Sequence, residues 1–389
     1  MTVFKKWMRL AMLGITLGGA SAPLHAASSY LAYVGTYTAS SSKGIYSFRF
    51  DPATGQLRPM GVAAELPNPS FLATDPQHRF LYAVTEMGPE PGADDYKKNG
   101  FVSSYSIDRK TGALTLLNKV DAGGGGSCHL VVDKTGKTLF VANYGSGNVA
   151  SFAIKPDGSI GERTGFYQHS GSSVNPARQT GPHAHAVVLS PDNRFLFVPD
   201  LGTDQVKIYR IDAQRGTFAP NDPASAEVKA GYGPRHFAFG HGAKYAYALC
   251  EMGSSVAVFS YNPAKGSLTP VQTISNLPDD FKGEDNSAEI EVDRSGRFLY
   301  ASNRGNDSIT VYAIDPAKGT LTKVQVAPTQ GKTPRNFALD PTGKYLIAAN
   351  QDSSTMVVFS VDPKDGQLKP AGQPIDTPSP VAILFVPAE

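Results

Sequence analysis

The sequence contains seven copies of one short pattern, in which an aromatic residue, a spacer and an apolar residue precede a polar turn with glycine. FRFDPATG and YAIDPAKG are typical copies, and successive aromatic residues are separated by 57, 47, 57, 50, 53 and 47 residues. Intervals of this length are typical of propeller blades and are too long for leucine-rich or ankyrin repeats. The repeat therefore predicts seven similar units, whose first aromatic residues are Phe48, Tyr105, Phe152, Tyr209, Phe259, Tyr312 and Phe359.

Each unit also contains a strand, a tight turn and a second strand, as in FLATDPQHRFLYAV from Phe71 and HLVVDKTGKTLFVAN from His129. Asp-Pro, Pro-Asp and Gly supply the turn dihedrals, and alternating apolar residues supply half-buried strands. With the aromatic repeat and its C-terminal partner, each unit has four antiparallel strands. Radial repetition of such sheets leaves only short, protected edges. The sequence thus predicts an all-β, seven-bladed β-propeller.

One of the seven units is divided between the two ends of the chain. Tyr30–Thr38 reads as a second strand with no first strand ahead of it, and Ser379–Val386 as a first strand with no second strand behind it. Pairing of these two strands would close the ring. No linker or shift in composition marks a second domain, so we predict one propeller domain over residues 27–389.

The N-terminal segment has the features of a secretory signal. Basic residues precede the apolar run Leu10–Ala20, and Leu24-His25-Ala26 supplies a small-residue cleavage pattern. We predict removal of residues 1–26 and a periplasmic or secreted protein, with an uncleaved anchor as the alternative. The apolar run is shorter than the roughly 20 residues that span a bilayer, so we expect no membrane span in the mature chain.

Composition restricts the partners that the chain can have. Without residues 1–26 it contains 33 Lys and Arg against 34 Asp and Glu, so no polyanion-binding surface is indicated and nucleic acid is not an expected partner. Cys128 and Cys250 are the only cysteines, which excludes a dense disulfide framework. Whether these two pair, and which oligomeric state the protein adopts, stays open.

Aligned repeats bring an unusual set of polar residues to one end of the propeller. The start of the first strand and the end of the second lie at the same edge of an antiparallel hairpin, so these positions ring one mouth of the central channel. Four of the seven histidines after residue 26 fall there. The first-strand positions are Phe71, His129, His185, His236, Glu289 and Asn336, with His183, Arg235 and Arg335 nearby, and the second-strand positions are Tyr37, Glu86, Tyr144, Leu201, Glu251, Arg304 and Gln351.

These side chains can supply proton transfer and anion binding. His185 or Glu251 can act as a general base on water if burial and neighbouring charges adjust its pKa. Arg235, Arg304 and Arg335 can bind a carboxylate or phosphate, or stabilise an oxyanion. The structural alternative is that the arginines form salt bridges with glutamates of the ring. We expect further substrate contacts from His129, His183, His236, Glu289, Arg335 and Asn336.

No sequence motif for a nucleophile elbow, HExxH zinc site, paired CxxC or P-loop is present, and we expect neither a cofactor nor a metal. Calcium is the alternative, because Asn143, Asp200, Asn303 and Asn350 offer oxygen ligands beside Glu86 or Glu251. The neighbouring arginines oppose it. Three long connections are more typical of binding than of packing, namely Glu86–Gly100, Gly165–Pro182 and Ile274–Ala288. For the lysine-rich first one, a tolerated surface insertion is an equal alternative.

Several motifs lie at these positions. Gly-Pro-Arg-His at 233–236 precedes Glu251, the His185 strand leads into Ser-Pro-Asp-Asn at 190–193, and Ser-Asn-Arg stands at 302–304. With Gly-Thr-Tyr-Thr at 35–38 and Pro-Arg-Asn-Phe at 334–337, they resemble the lactonase family of seven-bladed propellers, which includes a 6-phosphogluconolactonase and a carboxy-cis,cis-muconate cyclase. The resemblance covers residues 30–386. It implies an active site of His185, Arg235, Glu251 and Arg304. In this site the arginines bind an acidic group of the substrate, and His185 and Glu251 transfer protons.

The resemblance implies metal-independent hydrolysis of a small lactone. A secretory signal places the protein where a phosphorylated intermediate of the pentose pathway is not expected, so an unphosphorylated aldonolactone or another carboxylated lactone is the expected substrate. Lactonising cycloisomerisation of a muconate is an alternative that needs the same groups. A non-enzymatic interaction platform is the other alternative, since a propeller fold alone does not determine function.

Overall fold

The computed structural model describes residues 29–38, 41–86 and 100–389. The predicted signal segment and nearly all of the Glu86–Gly100 connection lie outside the described residues. Within them, 29 β-strands form seven separate antiparallel sheets. No helix in the described part of the chain is long and apolar enough to cross a membrane.

The strands follow one another in the order that the repeats predict. Blade 1 contains β1 (Tyr30–Thr36), β2 (Gly44–Phe50) and β3 (Leu57–Glu65), and blade 2 contains β4 (Leu72–Thr74), β5 (Phe80–Thr85), β6 (Phe101–Ile107) and β7 (Leu114–Asp121). Blade 3 contains β8 (Ser127–Val132), β9 (Thr138–Asn143), β10 (Asn148–Ile154) and β11 (Ile160–Gln168). Blade 4 contains β12 (Val188–Leu189), β13 (Phe195–Asp200), β14 (Gln205–Asp212) and β15 (Thr217–Glu227).

The remaining blades repeat this arrangement, and the last strand returns to the first sheet. Blade 5 contains β16 (Pro234–Phe239), β17 (Tyr245–Cys250), β18 (Ser255–Asn262) and β19 (Ser267–Ser275), with a short 3-10 turn at His241–Ala243. Blade 6 contains β20 (Ser287–Val292), β21 (Phe298–Asn303), β22 (Ser308–Ile314) and β23 (Leu321–Pro328). Blade 7 contains β24 (Pro334–Leu339), β25 (Tyr345–Asn350), β26 (Thr355–Val361), β27 (Leu368–Pro370) and β28 (Ile375–Asp376), and β29 (Pro380–Pro387) follows.

The first and last strands close the ring as predicted. β29 pairs antiparallel with β1, from Tyr30 opposite Pro387 to Thr36 opposite Pro380, and completes the four-stranded order β29-β1-β2-β3. The predicted seven-bladed architecture is therefore confirmed. Blade 7 differs in detail, because two short strands, β27 and β28, pair with β26 where the other blades have one outer strand.

Packing between blades explains the glycine of the repeated turn. Gly158 has φ +85° and a Cβ there would lie 2.2 Å from the Phe80 ring of the preceding blade, so no other residue fits. The Gly158 carbonyl also accepts a hydrogen bond from Tyr82 Oη at 3.0 Å. In blades 6 and 7, Tyr300 Oη donates in the same way to the Gly366 carbonyl at 3.0 Å. The glycine thus lets an aromatic residue of one blade seat against the next.

The hydrophobic core lies between neighbouring blades. Between blades 4 and 5, for example, the rings of Phe197 and Phe237 stack at 5.3 Å with an interplanar angle of 3°. Cys128 and Cys250 are both buried and both free, so these two cysteines do not form a disulfide with each other. Two connections are shorter than predicted, because β11 continues to Gln168 and β19 to Ser275.

Candidate active site at the channel mouth

The hairpins deliver the predicted residues to one mouth of the channel. Ser287 pairs with Asn303 at the mouth end of blade 6, and Pro234 pairs with Cys250 in blade 5, so Arg304 and Glu251 follow directly after the paired positions. Blade 4 departs from the expected pattern. Its inner strand is only Val188–Leu189, and His185 precedes it, fixed by a backbone hydrogen bond to the Pro199 carbonyl at 2.9 Å.

Glu251 is the centre of the charged cluster. Its Oε2 lies 3.1 Å from Arg235 Nε and 3.0 Å from Arg304 Nη2, while its Oε1 accepts a hydrogen bond from Arg178 Nη2 at 2.8 Å. His185 Nε2 lies 3.7 Å from Oε2. All four residues that the family resemblance implies are therefore gathered at one carboxylate. The alternative that the arginines form salt bridges with glutamates of the ring is also correct in part, since Arg235 and Arg304 form salt bridges with Glu251.

The surroundings of Glu251 keep its carboxyl group ionised. Burial alone would raise the pKa of Glu251, but the charges of Arg304, Arg235 and Arg178 outweigh it and lower that pKa to about 2. A carboxylate with so low a pKa is a weak base at neutral pH, and its charge is available to hold cations in place.

His185 is also deprotonated at neutral pH, but its deprotonated form carries no charge. Burial lowers the pKa of His185 well below its ordinary value of 6.5, and the Arg235 charge lowers it further. The imidazole is therefore neutral at neutral pH and can accept a proton. Its Nε2 faces Glu251, and its Nδ1 lies 3.8 Å from Cys128 Sγ.

A chain of hydrogen bonds behind Arg235 contains three of the predicted substrate-binding residues. Arg235 Nη1 donates to His236 Nε2 at 3.0 Å, and His236 Nδ1 then donates to Glu289 Oε1 at 2.8 Å. Asn336 Nδ2 donates to the other Glu289 oxygen. Because arginine can only donate, these bonds define the neutral Nδ1–H form of His236. His236, Glu289 and Asn336 thus hold Arg235 in position.

The other two predicted histidines line the wall of the mouth. His129 is buried and stacks on Phe71 with ring centroids 3.9 Å apart. His183 is half-buried and stacks on Tyr144 at 4.4 Å, and its Nδ1 lies 3.0 Å from the Tyr144 carbonyl oxygen. Burial lowers the pKa of His129 well below its ordinary value, with further contributions from His236 and Arg235.

Arg335 lies at another side of the same mouth. Its Nη2 is 3.9 Å from Glu86 Oε2, and its guanidinium lies over the Tyr37 ring at 5.1 Å. Tyr37 Oη donates to the same Glu86 oxygen at 2.9 Å. Burial lowers the pKa of Arg235 to about 10, and the charges of Arg335 and Arg304 contribute to that shift. Arg335 therefore acts on the cluster electrostatically.

Arg178 was missed by the sequence analysis. It lies in the connection between β11 and β12 and contacts both Glu251 Oε1 and Tyr144 Oη, the latter at 3.1 Å. Repeat alignment cannot find a loop residue, because a loop has no counterpart in the other blades. The unusual length of this connection was the available signal.

Three of the four side chains proposed for calcium have other partners, whereas Asn350 Oδ1 is buried without a hydrogen-bond partner among the described residues. Asn143 Oδ1 accepts from Ser127 Oγ at 2.6 Å, and Asn303 Oδ1 accepts from Ser287 Oγ at 3.0 Å. Asp200 Oδ1 accepts from the backbone N–H of His183 at 2.9 Å. In the described segments, no group of three or more His, Cys, Asp and Glu side chains is arranged to hold a metal ion.

Comparisons with known proteins point to one family. The family model described as "Lactonase, 7-bladed beta-propeller" matches residues 31–385. The 6-phosphogluconolactonase of Bacillus subtilis is 35% identical over 80% of this chain and 85% of its own length. The 6-phosphogluconolactonase of Formosa agariphila is 32% identical over 79% and 86%. The solved structure of a periplasmic gluconolactonase from Pseudomonas aeruginosa is 36% identical, with a TM-score of 0.85 and coverage of 92% of this chain and 99% of that one.

Proposed function

Since the chain belongs to the seven-bladed β-propeller lactonase family, we propose that it hydrolyses an aldonolactone with His185 as the general base. One observation carries this proposal, namely a neutral buried imidazole beside an ionised carboxylate that three arginines surround. The set supplies a proton acceptor and fixed positive charge in one place. A lactone carbonyl needs both, because water must be deprotonated while negative charge develops on the carbonyl oxygen.

The reaction follows from these positions. His185 takes a proton from water as the water oxygen adds to the lactone carbonyl carbon. Arg235 and Arg304 stabilise the resulting oxyanion, and the Glu251 charge stabilises the imidazolium. When the intermediate collapses, the bond between the carbonyl carbon and the ring oxygen breaks, and the alkoxide takes the proton from His185. The product is an open-chain hydroxy acid, and the imidazole is neutral again.

The pairing of the arginines favours a substrate without a phosphate group. Arg178, Arg235 and Arg304 share the Glu251 carboxylate, and Arg335 faces Glu86. A phosphate dianion would compete with these carboxylates for the same donors. The predicted signal segment, and similarity to a protein named as periplasmic, also support a location outside the cytoplasm and an unphosphorylated sugar lactone.

We expect the purified mature chain to hydrolyse glucono-1,5-lactone faster than its 6-phosphate, with kcat/KM higher by about tenfold, the size of one lost charged hydrogen bond. The measurement is proton release above the spontaneous rate, with and without EDTA. Activity that EDTA abolishes would contradict the proton-transfer mechanism and favour calcium. If neither lactone is hydrolysed, the proposal fails, and muconate cyclisation or a binding role becomes the next hypothesis to test.

The lowered pKa of His185 predicts a pH profile. Because the folded-state pKa lies below 6.5, the imidazole keeps its neutral, active form as pH falls through 6.5 and loses it only at lower pH. We expect kcat/KM to stay constant between about pH 7 and pH 6.5 and to fall below that range. An acid limb centred at or above pH 6.5 would contradict this assignment. His78→Asn, which alters a half-buried histidine outside the mouth cluster described above, is the control that should leave the profile unchanged.

A further inference from the structure

The connection between β11 and β12 contains a turn with its own internal support. Asn175 Oδ1 accepts hydrogen bonds from the backbone N–H groups of Ala177 and Arg178 at 2.9 and 3.1 Å. Gln179 Oε1 accepts from the Asn175 N–H at 3.1 Å, and the buried Gln179 donates from Nε2 to the Leu201 carbonyl at 2.8 Å. A buried side-chain anchor therefore fixes the backbone of Arg178 against blade 4.

Arg178 differs from the other two arginines on Glu251 in its access to solvent. Its side chain is 40% exposed, against 3% for Arg235 and 17% for Arg304. Only its Nη2 is engaged, by Glu251 and Tyr144. Among the described residues, its Nη1 and Nε have no hydrogen-bond partner. The guanidinium of Arg178 is thus held in place through Nη2, while its Nη1 and Nε groups are free to donate hydrogen bonds.

Arg178 contacts a different oxygen of Glu251 from the one that faces His185. His185, Arg235 and Arg304 all approach Oε2, whereas Arg178 approaches Oε1. Arg178 also bonds to Tyr144, whose ring lies edge-on to His185 at 5.2 Å and forms a wall of the mouth. Arg178 therefore lies beside the reacting group without approaching the oxygen that His185, Arg235 and Arg304 share, where hydroxyl groups of a sugar lactone can reach it.

We propose that Arg178 is a specificity-determining residue that binds hydroxyl oxygens of the sugar lactone away from the reacting carbonyl. This inference rests on the proposed lactonase function. The free Nη1 and Nε donors bind the substrate while Nη2 stays on Glu251, and the same contacts hold the open-chain product. An interaction made equally in the ground state and the transition state changes KM and leaves kcat unaltered.

The test compares Arg178→Gln and Arg178→Lys with the wild-type protein on glucono-1,5-lactone at pH 7. We expect Arg178→Gln to raise KM about tenfold, since hydrogen bonds to charged groups contribute roughly this much. Arg235 and Arg304 remain on Glu251 Oε2 beside His185, so kcat should stay within about twofold. Arg178→Lys keeps the charge and should restore part of the loss. Arg163→Gln, on the outer strand β11 where the guanidinium lies over Phe166, is the matched control.

A second measurement is independent of turnover. Calorimetric titration with D-gluconate, the product of the proposed reaction, should give about tenfold weaker binding to Arg178→Gln than to wild type. An unchanged KM and an unchanged gluconate affinity would overturn the role of Arg178, as would a loss of kcat at constant KM. If wild type binds gluconate through Arg178 but hydrolyses no lactone, only the proposed reaction fails. If it does neither, both proposals fail.

Discussion

Glu251→Gln is expected to lower kcat on the lactone about a thousandfold, or about 4 kcal/mol of transition-state stabilisation. The amide keeps the size of the side chain and removes the charge that Arg235, Arg304 and Arg178 share. The imidazolium that forms at His185 then has no counter-charge, and the arginines repel one another. The measurement is the initial rate at pH 7 after subtraction of the spontaneous rate.

Stability must be measured beside activity in this variant. Breaking a buried ion pair by removing one partner costs about 3–5 kcal/mol, which some domains do not survive. Circular dichroism and the melting temperature show whether the variant folds, and Glu251→Asp provides a second variant that keeps the charge but withdraws it from His185. Glu65→Gln, an exposed glutamate beside Lys43, is the control for the substitution itself. A folded Glu251→Gln variant with the wild-type rate would remove Glu251 from the mechanism.

Truncation after Ser379 is expected to abolish the cooperative folding of the whole propeller. The deletion removes β29, leaves β1 unpaired along one edge and takes the buried Val381, Ala382 and Val386 out of the core. Each buried valine contributes about 1.5–3 kcal/mol, and the loss of the strand pairing adds to this. A typical domain has only about 5–15 kcal/mol of total stability.

Thermal unfolding followed by circular dichroism tests the truncation. We expect no sharp transition for residues 27–379, and rapid cleavage by a low dose of protease. Removal of Ala388 and Glu389 alone is the control, because these residues lie beyond β29. They bond to Ser29 and Arg109, and only the small side chain of Ala388 packs at the edge of the core. A truncated chain that melts at the wild-type temperature would show that ring closure does not limit stability.

The fold was predictable because its information is local and repeated. The alternation of apolar and polar residues in the strands, the turn glycines and the aromatic pattern recur in each blade. Each blade therefore supports the interpretation of the others. The divided blade followed from a strand lacking a partner at each end of the chain, and the pairing of Tyr30 with Pro387 confirms it. The same repetition placed His185, Arg235, Glu251 and Arg304 at one mouth, since equivalent positions of a ring must lie at one end.

The sequence by itself therefore determined the propeller, its closure and the residues that the repeats bring to the mouth. Only the tertiary structure decided how these residues act on one another. Arg178 reaches Glu251 from a loop that no repeat constrains, and His236, Glu289 and Asn336 turn out to support Arg235 through hydrogen bonds. The neutral imidazole of His185 and the ionised carboxylate of Glu251 depend on burial and on charges a few ångströms away, and such distances between chain segments are set only when the blades pack.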